Sequence, residues 1–226
     1  MRFPILASCL AIGVLAACTS DLPTTTGGNS AVRVVNAYNG PVDVLIDGAV
    51  AIPSLASGVV DTTHTSEGNH TLAFRPVGHS TGQPLSITTA VGALNTIAAV
   101  RASSGAVGGA VLDDTGSVVP AGATKLRVLH LAANAGELQV FRTQPDYHTP
   151  ISWQFPFTYQ AEPTALSAPY YQSTVGTWEV RIWQTPADAS GWATSTLRVL
   201  VPLASGEKRT ILILDNPGGG VRVEVI

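Results

Sequence analysis

The 226 residues carry a formal net charge of -3, and charged side chains make up 12% of them, against roughly 25% in an ordinary soluble domain. Apolar residues stand at an ordinary 45%; Thr, Ser, Gly, Ala and Pro take the place of the missing charge, a mixture that suits strands and turns and excludes wholesale disorder. Lys125 and Lys208 are the only lysines and no basic run exists, so nothing can neutralise a row of phosphates, which excludes a nucleic-acid partner.

Residues 1–17 join one cation, Arg2, to an apolar run from Ile5 to Ala17. The run is too short for a bilayer, which needs ~20 apolar residues, and suits a secretory signal peptide, whose apolar region has ~7–15. Leu15-Ala16-Ala17-Cys18 resembles the lipobox of bacterial lipoproteins. That resemblance implies a lipid thioether on Cys18, cleavage before it, and firm anchoring by several acyl chains at ~0.8 kcal/mol per buried CH₂. Thr19 rather than Asp follows the cysteine, which in such lipoproteins implies passage to the outer membrane. The expected location is therefore the bacterial cell envelope, with the membrane as partner through the N-terminal lipid. Cys9 leaves with the leader, so the mature chain has no disulfide. Residues 18–29 hold the anchored cysteine and a polar Thr/Gly/Pro tether.

Beyond the tether no helical periodicity appears. Short apolar or alternating blocks follow one another between Gly, Pro, Asn and Asp: Val32–Ala37, Val42–Gly48, His70–Pro76, Asn95–Val100, Leu126–Leu131, Leu138–Phe141, Trp178–Trp183, Leu197–Leu203, Arg209–Leu214 and Val221–Ile226. Many short strands with frequent turns predict an all-β sandwich or barrel. A weak repeat orders them. Val32 to Ala37 matches Leu126 to Leu131, Val42-Asp43-Val44 matches Leu138-Gln139-Val140, Gly68 to Phe74 matches Gly176 to Ile182, and Thr96 to Val100 matches Thr210 to Leu214. Two sandwich domains, 30–116 and 124–226, are expected, each carrying its own set of apolar strands, with the intervening TGSVVPAGAT as linker.

Arg33-Val34-Val35-Asn36-Ala37, then Val42-Asp43-Val44-Leu45-Ile46-Asp47-Gly48, then a Gly-x-aromatic strand resemble a bacterial domain-of-unknown-function family, DUF4397. Its members open with R-V-x-H-A, continue with V-D-V-Y-x-D-G and often occur as tandem copies on exported or anchored proteins. Asn36 stands where the family has His, His130 keeps it, and the family's S-P-D turn is absent from both copies. The resemblance implies tandem immunoglobulin- or transthyretin-like sandwiches and supplies no activity.

Three stretches bear on chemistry. Val111 to Ser117 carries one D-T-G-S, but an aspartic protease needs two carboxylates sharing a proton, so this reads as a turn into the linker. Asp61, His64, Glu67 and His70 crowd ten residues, yet a metal site needs three or four converging ligands. Strand alternation turns Asp61 and His64 opposite ways, and a polar hairpin end is expected; neither metal nor cofactor is. The third is aromatic. Eleven of the 14 aromatic residues lie between Phe141 and Trp192. In Ser152 to Gln160 strict alternation sets Trp153, Phe155, Phe157 and Tyr159 on one strand face, and Pro156 confines that strand to a sheet edge. Trp178, Val180 and Ile182 take one face of their strand and Glu179, Arg181 and Trp183 the polar one. The candidate ligand contacts are thus Trp153, Phe155, Phe157, Tyr159 and Trp183, with packed core as the competing reading. The expected function is a non-enzymatic envelope lipoprotein binding a protein, peptide or glycan; the alternatives are a structural spacer without a ligand, or an envelope hydrolase.

Overall fold

In the computed structural model the described residues are 29–102, 105–112, 118–145, 151–157, 170–184 and 197–226, with backbone only for 151–157 and 184. The leader, Cys18, the D-T-G-S motif (Asp114 to Ser117) and Tyr159 lie outside them. All regular structure among the described residues is β, in sixteen strands. The first unit has β1 (Asn29–Asn36), β2 (Val42–Ile46), β3 (Ala49–Leu55), β4 (Val60–Ser66), β5 (Gly68–Pro76), β6 (Leu85–Thr89), β7 (Leu94–Arg101) and β8 (Val107–Leu112). The second has β9 (Ala123–His130), β10 (Leu138–Thr143), β11 (Ile151–Phe157), β12 (Tyr171–Thr174), β13 (Gly176–Gln184), β14 (Leu197–Leu203), β15 (Lys208–Asp215) and β16 (Val221–Val225).

They form four four-stranded sheets: β4-β1-β7-β8 and β3-β2-β5-β6 in the first unit, β12-β9-β15-β16 and β11-β10-β13-β14 in the second. The second order is the first advanced by eight strands. The repeat extends to detail. β1 pairs parallel with β7 and β9 with β15, setting Arg33 against Thr96 and Arg127 against Thr210. Gly68 and Gly176 open β5 and β13 at φ 125° and 135°, a backbone region that penalises any side chain. β3 and β11 both carry irregularities against β2 and β10. β3 and β11 are edge strands, which is where Pro53 and Pro156 withhold no ladder hydrogen bond.

Alternation along these strands fills three cores. Val32, Val34, Val44, Leu72, Phe74 and Ile97 lie between the two sheets of the first unit. Leu126, Val128, Val140, Val180, Ile182 and Ile211 do the same in the second. The residues in between, on the opposite faces, make the third: Val35, Ala37, Ala98 and Val100 of the first unit pack with Leu129, Leu131, Leu212 and Leu214 of the second. The sheets β4-β1-β7-β8 and β12-β9-β15-β16 are therefore inner sheets of a four-layer stack. By register these residues correspond one to one, with leucine in the second unit wherever the first has valine or alanine. Large set against small is how facing layers fill space. At one margin Gly58 (φ 72°) admits Arg222; a Cβ there would lie 1.8 Å from the guanidinium.

The loop after the first strand of each unit is stapled by a core side chain. Asn36 Nδ2 donates to the carbonyls of Gly40 (2.9 Å) and Leu55 (2.8 Å), while its Oδ1 accepts from Tyr38 N–H. His130 does the equivalent work: Nε2 donates to Gly136 O at 2.6 Å and Nδ1 accepts from Ala132 N–H. Accepting at Nδ1 fixes the neutral Nε2–H tautomer. Burial pushes the His130 pKa down, against the lesser pull of Gly136 O and Asp215.

Candidate functional site

The outer sheet of the second unit gathers candidate functional side chains. On β13, Trp178, Val180 and Ile182 enter the core, and Glu179, Arg181 and Trp183 take the other face. That face is not open: the three are 2%, 5% and 6% exposed. Trp183 is thus correctly assigned to the charged face but is no exposed contact; its ring packs edge-to-face on Phe141 with centroids 4.9 Å apart. Register sets Arg181 directly opposite Arg198 of β14, a repulsive cross-strand pair. Glu179 resolves it. Its Oε1 accepts from Arg181 Nε and from Arg198 Nε (2.8 Å), and its Oε2 accepts from Arg198 Nη2 (2.9 Å). The Arg198 side chain remains 44% exposed. Beside this triad Glu179, Arg198, Pro145, Val199 and Leu200 line a cavity of about 380 Å³. Thr143, paired with Glu179 in register, has a buried hydroxyl without a hydrogen-bond partner among the described residues.

Around the other side of the same sheet, Arg142 lies 4.5 Å over the Trp178 ring and donates to Ser173 Oγ of the inner sheet at 2.6 Å. Burial lowers its pKa, and it spans the two sheets at one end of the core.

The aromatic stripe meets the backbone differently from expectation. Against β10 the partners run Leu138 to Phe157, Val140 to Gln154 and Phe141 to Ser152. Each step inserts one extra residue into β11, as in a β-bulge, so uninterrupted alternation from Ser152 onward is not kept, and the strand closes at Phe157. Trp153, Phe155 and Phe157 are placed by backbone on this edge strand, next to Phe141's strand.

The acid–histidine stretch forms most of strand β4 rather than a hairpin end alone. Asp61 pairs with Val34 and His64 with Ala31, on opposite faces as alternation requires. His70 instead meets Asp47: Nδ1 lies 2.7 Å from Asp47 Oδ2 and Nε2 lies 3.0 Å from Ser66 O. That Asp47 contact holds the His70 pKa up, and His70 together with Thr71 N–H holds Asp47 down. Among the described residues no three His, Cys, Asp or Glu side chains converge as metal ligands would. Sequence reasoning missed the Glu179–Arg198 pair; its signal was two charged residues inside the Trp178–Trp183 run, which only the register of β14 completes.

Residues 30–141 match the family described as "Domain of unknown function (DUF4397)", which takes in the first unit from Ser30 onward, β9, and β10 through Phe141. No curated protein matches the chain. Two solved structures align with 85% of it: a "product complex of a multi-modular glycogen-degrading pneumococcal virulence factor SpuA", at 9% identity and TM-score 0.27, and "alpha-glucan binding by a streptococcal virulence factor", at 10% identity and TM-score 0.25. The alignment covers 21% of the first of those chains and 95% of the second.

Proposed function

We propose that this chain is a lipid-anchored envelope protein whose second unit binds a protein, peptide or glycan without catalysing a reaction. The observation that carries the binding reading is the arginine–carboxylate triad of Glu179, Arg181 and Arg198 beside its cavity. A planar guanidinium held by a buried carboxylate offers fixed donors. The strand order supports tandem copies of one fold. One feature favours the transthyretin-like alternative: an immunoglobulin constant sandwich sets its first strand beside its second, whereas β1 lies between β4 and β7. The anchor reading rests on Leu15 to Cys18.

Two experiments test these readings. Cys18→Ser should abolish acyl mass and release the protein from membranes; tight membrane retention without acyl mass refutes the anchor. The mature chain, immobilised by its tether, should retain envelope glycans or peptides, and Arg198→Ala should lose them without lowering the unfolding midpoint. Retention unchanged by Arg198→Ala refutes this face. The spacer reading is favoured by one observation, the apolar third core that locks the units together, and gains if no envelope component is retained.

A further inference from the structure

The seam between the units is apolar over most of its length and polar at one end. There a cavity of about 340 Å³ is lined by Arg33 of the first unit and by Tyr170, Glu207, Lys208, Arg209 and Thr210 of the second. In a chain of net charge -3, Arg33 and Lys208 bring one cation from each unit to this cavity, and Arg209 is paired with Glu207. Glu207, the one acid side chain in that lining, is already engaged, accepting from Ala204 N–H and from Arg209 Nη2; both hold its pKa down. Ile226 exchanges two backbone hydrogen bonds with Thr210 at the rim.

The two units bring matching Arg–Thr pairs to this seam, and the two copies differ. In the second, Arg127 is fully buried, its Nε donates to Thr210 Oγ1 at 2.8 Å, and its guanidinium lies 4.5 Å over the Tyr170 ring. Tyr170 Oη is 3.2 Å from the same Thr210 hydroxyl. In the first, Thr96 is 1% exposed and its hydroxyl has no hydrogen-bond partner among the described residues. It stands next to Arg33 in register.

We propose that this end of the seam is an oxyanion site, taking a phosphate or sulfate group between Arg33 of one unit and Lys208 of the other. Tetrahedral oxyanions carry up to two charges and several acceptor oxygens, which suits donors converging from both sheets. Binding there bridges the units, so it should raise the melting temperature by mass action. This site is distinct from the β13–β14 face, and neither reading depends on the other.

The test is titration of the mature chain with inorganic phosphate, sulfate, glucose 6-phosphate and glucose at constant ionic strength, read by the Arg33 side-chain Nε–Hε NMR signal and by melting temperature. Phosphate and sulfate should saturate a single site and glucose should do nothing. Tighter binding of glucose 6-phosphate assigns a sugar-borne ester; equal binding assigns the free ion. Arg33→Gln should weaken phosphate about tenfold, one charge-assisted pair, and Lys208→Ala should do likewise. Arg75→Ala, on the first unit's outer sheet, should leave affinity unchanged. The proposal falls if sodium chloride of equal ionic strength reproduces the phosphate shifts, or if folded Arg33→Gln binds within twofold of the parent.

Discussion

Position for position, the outer sheets of the two units are the same object carrying different surfaces. Asp43 and Arg75 of the first correspond to Gln139 and Trp183 of the second, Leu45 and Ala73 to Phe141 and Arg181, and Asp47 and Thr71 to Thr143 and Glu179. In the first sheet the charges sit at the margins. Arg75 meets Asp43 at 2.7 Å with its side chain 37% exposed, and Ser54 N–H with Arg75 keeps the Asp43 pKa low. In the second the charges have moved to the middle of the sheet and under cover, where Glu179 must hold two arginines. The same ion-pair chemistry is a solvent-screened ornament in one unit and a structural obligation in the other.

The largest expected effect separates them directly. Glu179→Ala leaves Arg181 buried without its carboxylate and should destabilise by ~3–5 kcal/mol in urea unfolding. The corresponding insult in the third core is Leu212→Ala, expected to cost ~2–5 kcal/mol. Because Leu212 packs across the seam, hydrogen exchange should quicken in β7 as well as β15; acceleration confined to the second unit would mean the units are merely adjacent.

A smaller effect concerns pH, and the units should move in opposite directions. His130 has a lowered pKa when folded, so the unfolded chain takes up its proton first. That contribution is present above the unfolded value of about 6.5 and is lost as pH falls below it. His70 is raised by Asp47, so its contribution is full below about 6.5 and fades as pH rises through the folded value. Residue-resolved hydrogen exchange between pH 5 and 8, a range of about one and a half units either side of the His reference, should show β9 loosening at the acid end and β5 at the alkaline end. His130→Asn, which copies Asn36, should abolish the acid limb. The smallest effect is Asp43→Ala, at most ~1 kcal/mol for a screened surface pair; a loss as large as that of Glu179→Ala would erase the contrast between the sheets.

Much of the fold was legible because alternation and the repeat agree. Val32 to Ala37 and Leu126 to Leu131 appear as β1 and β9, and Gly68 and Gly176 mark the same turn. Strands β4 and β8 were not legible for opposite reasons. β4 is an edge strand whose VDTTHTS is exposed or half-exposed throughout, and β8 reads VGGAVL, with two glycines that pass for a turn. The seam did leave a mark that went unread: Ile211 to Leu214 is a continuous apolar run with no polar alternate, which signals a strand covered on both faces. Of the charged triad, Glu179 and Arg181 were legible on one strand face, and Arg198 was not, because it reaches Glu179 only through the β13–β14 register.

The third core has one more consequence, for reach. Stacked sheets lie about 10 Å apart, so four layers set the two outer faces roughly 30 Å from one another and pointing in opposite directions. A flat surface can meet one of them and never both. Two bodies, one on each outer face, would be held apart on opposite sides of a stiff block.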